Sequence, residues 1–223
     1  MDLLLPVSIG LLLAWSVYSF MHSRQKAKQK GLLFYSEFIP YLQQYELSKS
    51  RSQFPVLSGI YDGYKIKLVP EVDALVLHRL PRLYLRMYIY VPNNFLLRVR
   101  KQDVETRSSH FFLPGSFEKV HKEIRLNNQE YHLFLAEDHY PLNLEACLAK
   151  LFPEGNNCAE LLLQKNFIRI TILLSKGKKS SYVITRATDF SSLIFKREFF
   201  ERYFQAALEL HRELSHKGLN HKG

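Results

Sequence analysis

The stretch from Leu3 to Met21, LLLPVSIGLLLAWSVYSFM, holds no ionisable side chain except Tyr18. Nothing else in the chain narrows its options as much. At a rise of about 1.5 Å per residue, a helix of this length spans roughly 28 Å, close to the hydrocarbon thickness of a bilayer. Pro6 falls in the first turn, where a missing N–H costs nothing, and Trp15 and Tyr18 lie toward the far end, where amphipathic rings suit the headgroup level. A cleaved signal peptide competes with this reading, with Val17 and Ser19 as small residues before a cut. Such peptides carry a basic segment ahead of the apolar run, and here only Asp2 is charged. The positive charge lies on the other flank, at Arg24, Lys26, Lys28 and Lys30, which marks that flank as cytoplasmic. The sequence therefore predicts one transmembrane anchor at 1–22 with the N-terminus outside. The four cations are expected to meet lipid headgroups, each contributing on the order of 1 kcal/mol beside an anionic leaflet. No later segment offers a second span.

Residues 23–53 read as a basic juxtamembrane helix and linker, and 54–223 as a cytoplasmic α+β domain. Roughly 200 residues beyond the anchor suffice for a core that folds unaided. An apolar fraction of 47% and an aromatic fraction of 13% exclude a disordered tail. The 31 basic residues against 21 acidic ones leave a net charge of +10, which favours an anionic partner. For a tethered domain that partner is membrane lipid or a protein with an acidic surface, ahead of nucleic acid. Cys147 and Cys158 do not make a disulfide framework and are expected to stay reduced.

Along the chain, Tyr35, Phe38, Leu42 and Tyr45 recur at helical spacing within 23–47, with Pro40 dividing that helix near Ile39. The segment 48–53 is a polar linker. From Val56 the period becomes two: Val56 to Tyr61, Asp62-Gly63, then Tyr64 to Val69 predicts a hairpin that Pro70 ends. Ala74 to His78 is a candidate further strand. Leu83, Leu85, Met87, Ile89 and Val91 alternate with Tyr84, Arg86, Tyr88 and Tyr90, and Phe95, Leu97 and Val99 alternate with Leu96, Arg98 and Arg100. Joined by a three-residue loop at 92–94, these two strands would pair Ile89 with Leu97, placing Tyr88 beside Arg98 and Arg86 beside Arg100 on a solvent face. Residues 102–129 show no clear period. A strand at Tyr131 to Ala136, helices at Leu142 to Phe152 and Ala159 to Gln164, and a hairpin from Phe167 to Leu174 into Tyr182 to Thr188 follow. The last element is a long helix capped at Asp189, Ser191 or Ser192 and stopped near Gly218, with Phe200, Tyr203, Ala207, Leu210 and Leu214 on its apolar face.

Motifs for catalysis are mostly missing. Gly177-Lys178-Lys179-Ser180 resembles the tail of a phosphate-binding loop, but Ile172 stands where its first glycine is needed. His211 and His216 are five apart, not the four that place two ligands on one helix face. Asp138-His139, at a strand end, would be the starting point for an enzyme with no local motif. Arg86-x-Tyr88-x-Tyr90-Val91 is similar to the central strand of an RNA-recognition motif, yet Met87 and Ile89 replace its small residues and the order of elements differs. The reading that best fits is a non-catalytic, membrane-tethered binding or assembly module with no cofactor and no metal. Its expected contact surface is Tyr84, Arg86, Tyr88, Arg98 and Arg100. The partner's identity and the oligomeric state are left open.

Overall fold

The structure is a computed structural model. It describes residues 32–50, 54–73, 81–93, 95–102, 122–135, 144–153, 157–176, 190 and 193–219, with isolated positions 12, 15–19, 21 and 29. Nine strands form one sheet: β1 (Gln43–Ser48), β2 (Val56–Tyr61), β3 (Tyr64–Asp73), β4 (Arg82–Tyr90), β5 (Leu97–Lys101), β6 (Lys122–Leu126), β7 (Gln129–Leu135), β8 (Cys158–Gln164) and β9 (Phe167–Lys176). Their order is β1-β2-β3-β4-β9-β8-β5-β7-β6, and every neighbouring pair is antiparallel. Helix α1 (Leu144–Leu151) and helix α2 (Arg197–Leu219) contact each other, and α1 also meets β6. The expected α+β class, an antiparallel sheet with a long C-terminal helix, is what the chain forms.

The β2–β3 hairpin turns on Asp62 and Gly63, with φ of 49° and 77°, the left-handed pair a tight primed turn requires. Pro70 does not end β3. It pairs with Leu85 of β4, beyond the last β2 pair at Leu57 and Leu68, so one side of the strand has no ladder there for a missing N–H to break. β6 and β7 form a hairpin that the polar text of 102–129 had hidden, turning on Asn127 and Asn128 at φ of 45° and 63°. The Asn127 amide also donates to the carbonyls of Ala149 and Phe152 at 3.2 and 2.7 Å, closing the C-terminal end of α1.

Three expectations about which segments are strands and how they pair are corrected. Residues 43–47 are strand, not helix: the chain turns at 35–38, passes a short 3-10 turn at Ile39–Tyr41 that holds Pro40, and enters β1. Ala159 to Gln164 is β8 rather than a helix. Its sequence favours helix, but both faces of the strand are buried, so apart from Glu160 it shows an apolar run with no alternation. β4 and β5 do not pair. The β8–β9 hairpin lies between them, with Ile89 opposite Ile168 and Leu97 opposite Leu163 and Leu135. Asn93 lies at the hairpin's turn, where its N–H donates to the Lys165 carbonyl at 2.8 Å, and His211 Nε2 of α2 sits 2.7 Å from the Pro92 carbonyl. β9 is flanked on both sides over Ile168 to Ile172, and residues 177–189, which hold the strand expected at Tyr182 to Thr188, lie outside the described residues.

The inner face of the sheet carries Leu57, Ile66, Leu68, Leu85, Met87, Ile89, Val99, Leu133, Leu161, Leu163, Ile168 and Ile170, all buried in one cluster with both helices. α2 begins at Arg197, later than the caps expected at 189–192, and buries Phe200, Tyr203, Phe204, Ala207, Leu210 and Leu214. Phe34, Tyr35 and Phe38 join this core, so part of the segment 23–53 packs as part of the domain. The rings of Phe38 and Phe200 lie 4.4 Å apart and tilted, and those of Tyr61 and Phe204 meet edge to face at 5.2 Å. Such pairs contribute about 0.5–1.5 kcal/mol each beyond area burial.

Among the described residues no helix is long and apolar enough to cross a membrane. Leu12, Trp15, Val17, Tyr18 and Met21 are helical and exposed, Trp15 to 70%. The rest of the expected anchor, with Arg24, Lys26, Lys28 and Lys30, lies outside the described residues, as do 74–80 and Asp138-His139.

Candidate functional site

Across the outer face of the sheet, residues opposite one another form two rows. Arg86 stands opposite Thr171, Thr171 opposite Glu160, Glu160 opposite Arg100, and Arg100 opposite His132. Two residues along, Tyr88 faces Arg169, Arg169 faces Leu162, Leu162 faces Arg98, and Arg98 faces Phe134. Strict alternation along β8 would put Glu160 on the same face as Cys158, inside the core. A bulge between Cys158 and Glu160 adds one residue and swings the carboxylate to the outer face. There it accepts from Arg98 Nε at 2.6 Å on one oxygen and from Arg169 Nη2 at 2.7 Å on the other. Thr171 Oγ1 lies 3.5 Å away, at the limit of a hydrogen bond.

Glu160, Arg98, Arg169 and Thr171 are all buried. Arg100 is half-buried beside them, and its guanidinium lies 5.8 Å from the Phe134 ring, which Arg98 approaches to 5.4 Å from its own position. Burial, and then the neighbouring Arg98 charge, lower the Arg100 pKa from its ordinary value. An arginine keeps its proton regardless, so the discomfort is expressed as a demand for an anion. Among the described residues Glu160 is the one carboxylate in this group: three guanidinium charges against one carboxylate leave an excess of two. The Nε groups of Arg100 and Arg169 and the Nδ1 of His132 are buried and make no hydrogen bond among the described residues. His132 Nδ1 stands 3.8 Å from Glu123, beyond hydrogen-bond reach. The remainder of the face is aromatic: Tyr88 and Tyr90 pack on Phe167 at 5.5 and 6.5 Å, with the Lys65 ammonium 5.7 Å from Tyr90.

All five residues expected to form a surface do lie on this one face, but not in the expected arrangement. Tyr84 and Arg98 are buried, not solvent-facing. Arg86 is not beside Arg100; it pairs with Glu71 at 3.0 Å, and β9 and β8 separate the two arginines by three strand spacings, roughly 14 Å. The same two strands separate Tyr88 from Arg98. Sequence reasoning missed Glu160 and Arg169, which complete the cluster. Their signal was available: each is a lone charge inside an otherwise apolar run, CAELLLQ and FIRITILL.

A second polar cluster occupies the start of α2. Tyr61 donates its hydroxyl to Glu201 Oε1 at 2.5 Å, and Arg197 donates to the same oxygen through Nε and Nη2 at 2.8 and 2.6 Å while lying over the Tyr41 ring. The Tyr61 hydrogen bond, with Arg197 next, holds the Glu201 carboxyl below the usual range. Every partner is internal, so this cluster reads as a clasp joining β2, the 3-10 turn and α2. No group of three or more metal-ligating side chains occurs among the described residues. Comparison with protein-family models, with curated proteins and with solved structures found nothing that matches this chain, so the reading of its function rests on the geometry above.

Proposed function

We propose that the protein is a membrane-tethered, non-catalytic binding module whose arginine-lined sheet face receives an acidic segment of a protein partner. The observation that carries this is half-buried Arg100 beside the Arg98 charge, with Glu160 already engaged by Arg98 and Arg169, and with the Nε groups of Arg100 and Arg169 unbonded among the described residues. Unbonded buried donors are costly, and a carboxylate is the geometric match for a guanidinium edge. The rim of Tyr88, Tyr90 and Phe167 adds the aromatic contact surface that protein interfaces favour. Exposed apolar helix positions at Leu12, Trp15, Val17, Tyr18 and Met21 support the tether.

The test uses full-length protein in its native membrane with a photo-crosslinking residue at position 88, beside the same residue at position 209 on α2. A partner that crosslinks from 88 only, and is lost with Arg100→Glu, supports the reading. Crosslinking that Arg100→Glu leaves unchanged refutes it, and crosslinks to lipid alone reassign the face to anionic headgroups.

A further inference from the structure

A groove of about 200 Å³ opens between the strand end of β9 and the chain leading into α2. Phe34, Leu173, Leu174, Ile194 and Phe199 line it, with Lys196 at its edge. Large apolar side chains next to it face water: Ile194 is 50% exposed, and Leu33, one residue before Phe34, is 65% exposed, with Leu32 beside it. A stripe of this kind, apolar and bordered by a lysine, has the composition of a surface that rests in the headgroup layer. Its position in the chain selects the occupant. Leu33 follows Met21 by twelve residues, a leash of on the order of 18 Å if helical and roughly 40 Å at full stretch. A groove held that close to a bilayer meets lipid at a high effective concentration.

We infer that this groove is a lipid-docking surface: Leu33 and Ile194 enter the interfacial layer, and the domain lies against the bilayer on this side. The inference rests on the tether reading. It also specifies the driving force. The polar pocket that shares Lys196 is lined by Glu37, Glu198 and Glu201 against Arg197 as well, so the charges there nearly balance, anionic headgroups gain little and the contact is apolar.

The experiment reconstitutes the full chain into phosphatidylcholine vesicles with brominated acyl chains. Trp15, the one tryptophan, reports the anchor. An environment-sensitive fluorophore reports the groove, attached through Ile194→Cys in a Cys147→Ser background; Cys158 is buried out of reach. Controls carry the label at Arg125→Cys on β6 or at Arg212→Cys on α2, both exposed and remote from the groove. The expected result is quenching of Trp15 and several-fold stronger quenching at 194 than at either control, reduced by Leu33→Glu and unchanged by added phosphatidylserine. Quenching of Trp15 without quenching at 194 overturns the docking surface and leaves the tether intact. An unquenched Trp15 removes the tether and the inference together. A signal at 194 that appears only with phosphatidylserine, or a blue shift without quenching that grows with protein density, overturns lipid insertion in favour of a charge contact or a second copy of the chain.

Discussion

Glu160 is the residue whose loss should cost the fold most for its size. Its side chain is 1% exposed, and those of Arg98 and Arg169 are 5% and 9% exposed. Removing one partner from a buried ion group leaves charges that can neither be solvated nor paired, a loss of about 3–5 kcal/mol. Native domains hold only about 5–15 kcal/mol in total, so the fold would survive with a small margin. For a domain of this size each kcal/mol moves the midpoint by about 2–4 °C, so Glu160→Ala should lower Tm by roughly 6–20 °C. Glu160→Gln should fare little better, because its amide must set an N–H₂ against a guanidinium donor. Thermal unfolding of the detergent-solubilised protein, followed by circular dichroism, measures this. The decisive companion is Glu160→Leu with Arg98→Met and Arg169→Leu, which removes the buried ion group, leaves half-buried Arg100 as the one charge beside it, keeps volume and should recover most of the loss. If Glu160→Gln shifts Tm by less than about 2 °C, or the triple variant is as unstable as Glu160→Ala, the buried-charge argument is wrong.

Three further outcomes follow from other sites. Gly63→Ala meets no atom within 4 Å, but its φ of +77° remains, so denaturant unfolding should show a loss of about 1–2 kcal/mol from backbone strain alone. Burial pushes the Cys158 thiol far above its usual pKa, whereas Cys147 is half-buried; a thiol reagent at mildly alkaline pH should therefore modify one cysteine per native chain and two after denaturation. The Glu201 carboxyl titrates lower in the folded chain than in the unfolded one, so its contribution is present above the ordinary glutamate range and fades as pH falls through the folded value. A stability profile of Glu201→Gln should thus be flatter than wild type on the acid side and parallel to it at neutral pH.

The strands were more legible than their partners. Alternation in LYLRMYIYV correctly sorted Leu83, Leu85, Met87 and Ile89 to the core and Arg86 and Tyr88 to the other side. It could not choose between neighbours, because Ile168 and Ile170 satisfy the inner face of β4 as well as Leu97 and Val99 would. Pairing strands that follow each other in sequence is a sound default, and here it failed because a later hairpin fits the same surface. β8 was illegible for a different reason: a strand buried on both faces has no polar period to read, and Ala, Glu, Leu and Gln each favour helix locally. The Asn127-Asn128 turn could have been read, since asparagine tolerates positive φ better than most residues. At the site, Arg98 and Arg100 followed from alternation alone. Glu160 did not, since its place on that face depends on a bulge that shifts the period by one.

The insertion of β8 and β9 between β4 and β5 also sets an order of assembly. Ile89 pairs with Ile168, 79 residues later in synthesis (168 − 89). At about 5–20 residues per second, the edge of β4 waits roughly 4–16 s for its neighbour. Once Leu135 is made, the growing chain contains the strands of two partial sheets, β1 to β4 and β5 to β7, and in the finished fold the same hairpin fills the edge of each. An unsealed edge is a template for other chains. The last of the described strands to be made are thus the ones that close the sheet, and a chain cut short before residue 158 should aggregate more readily than the full chain.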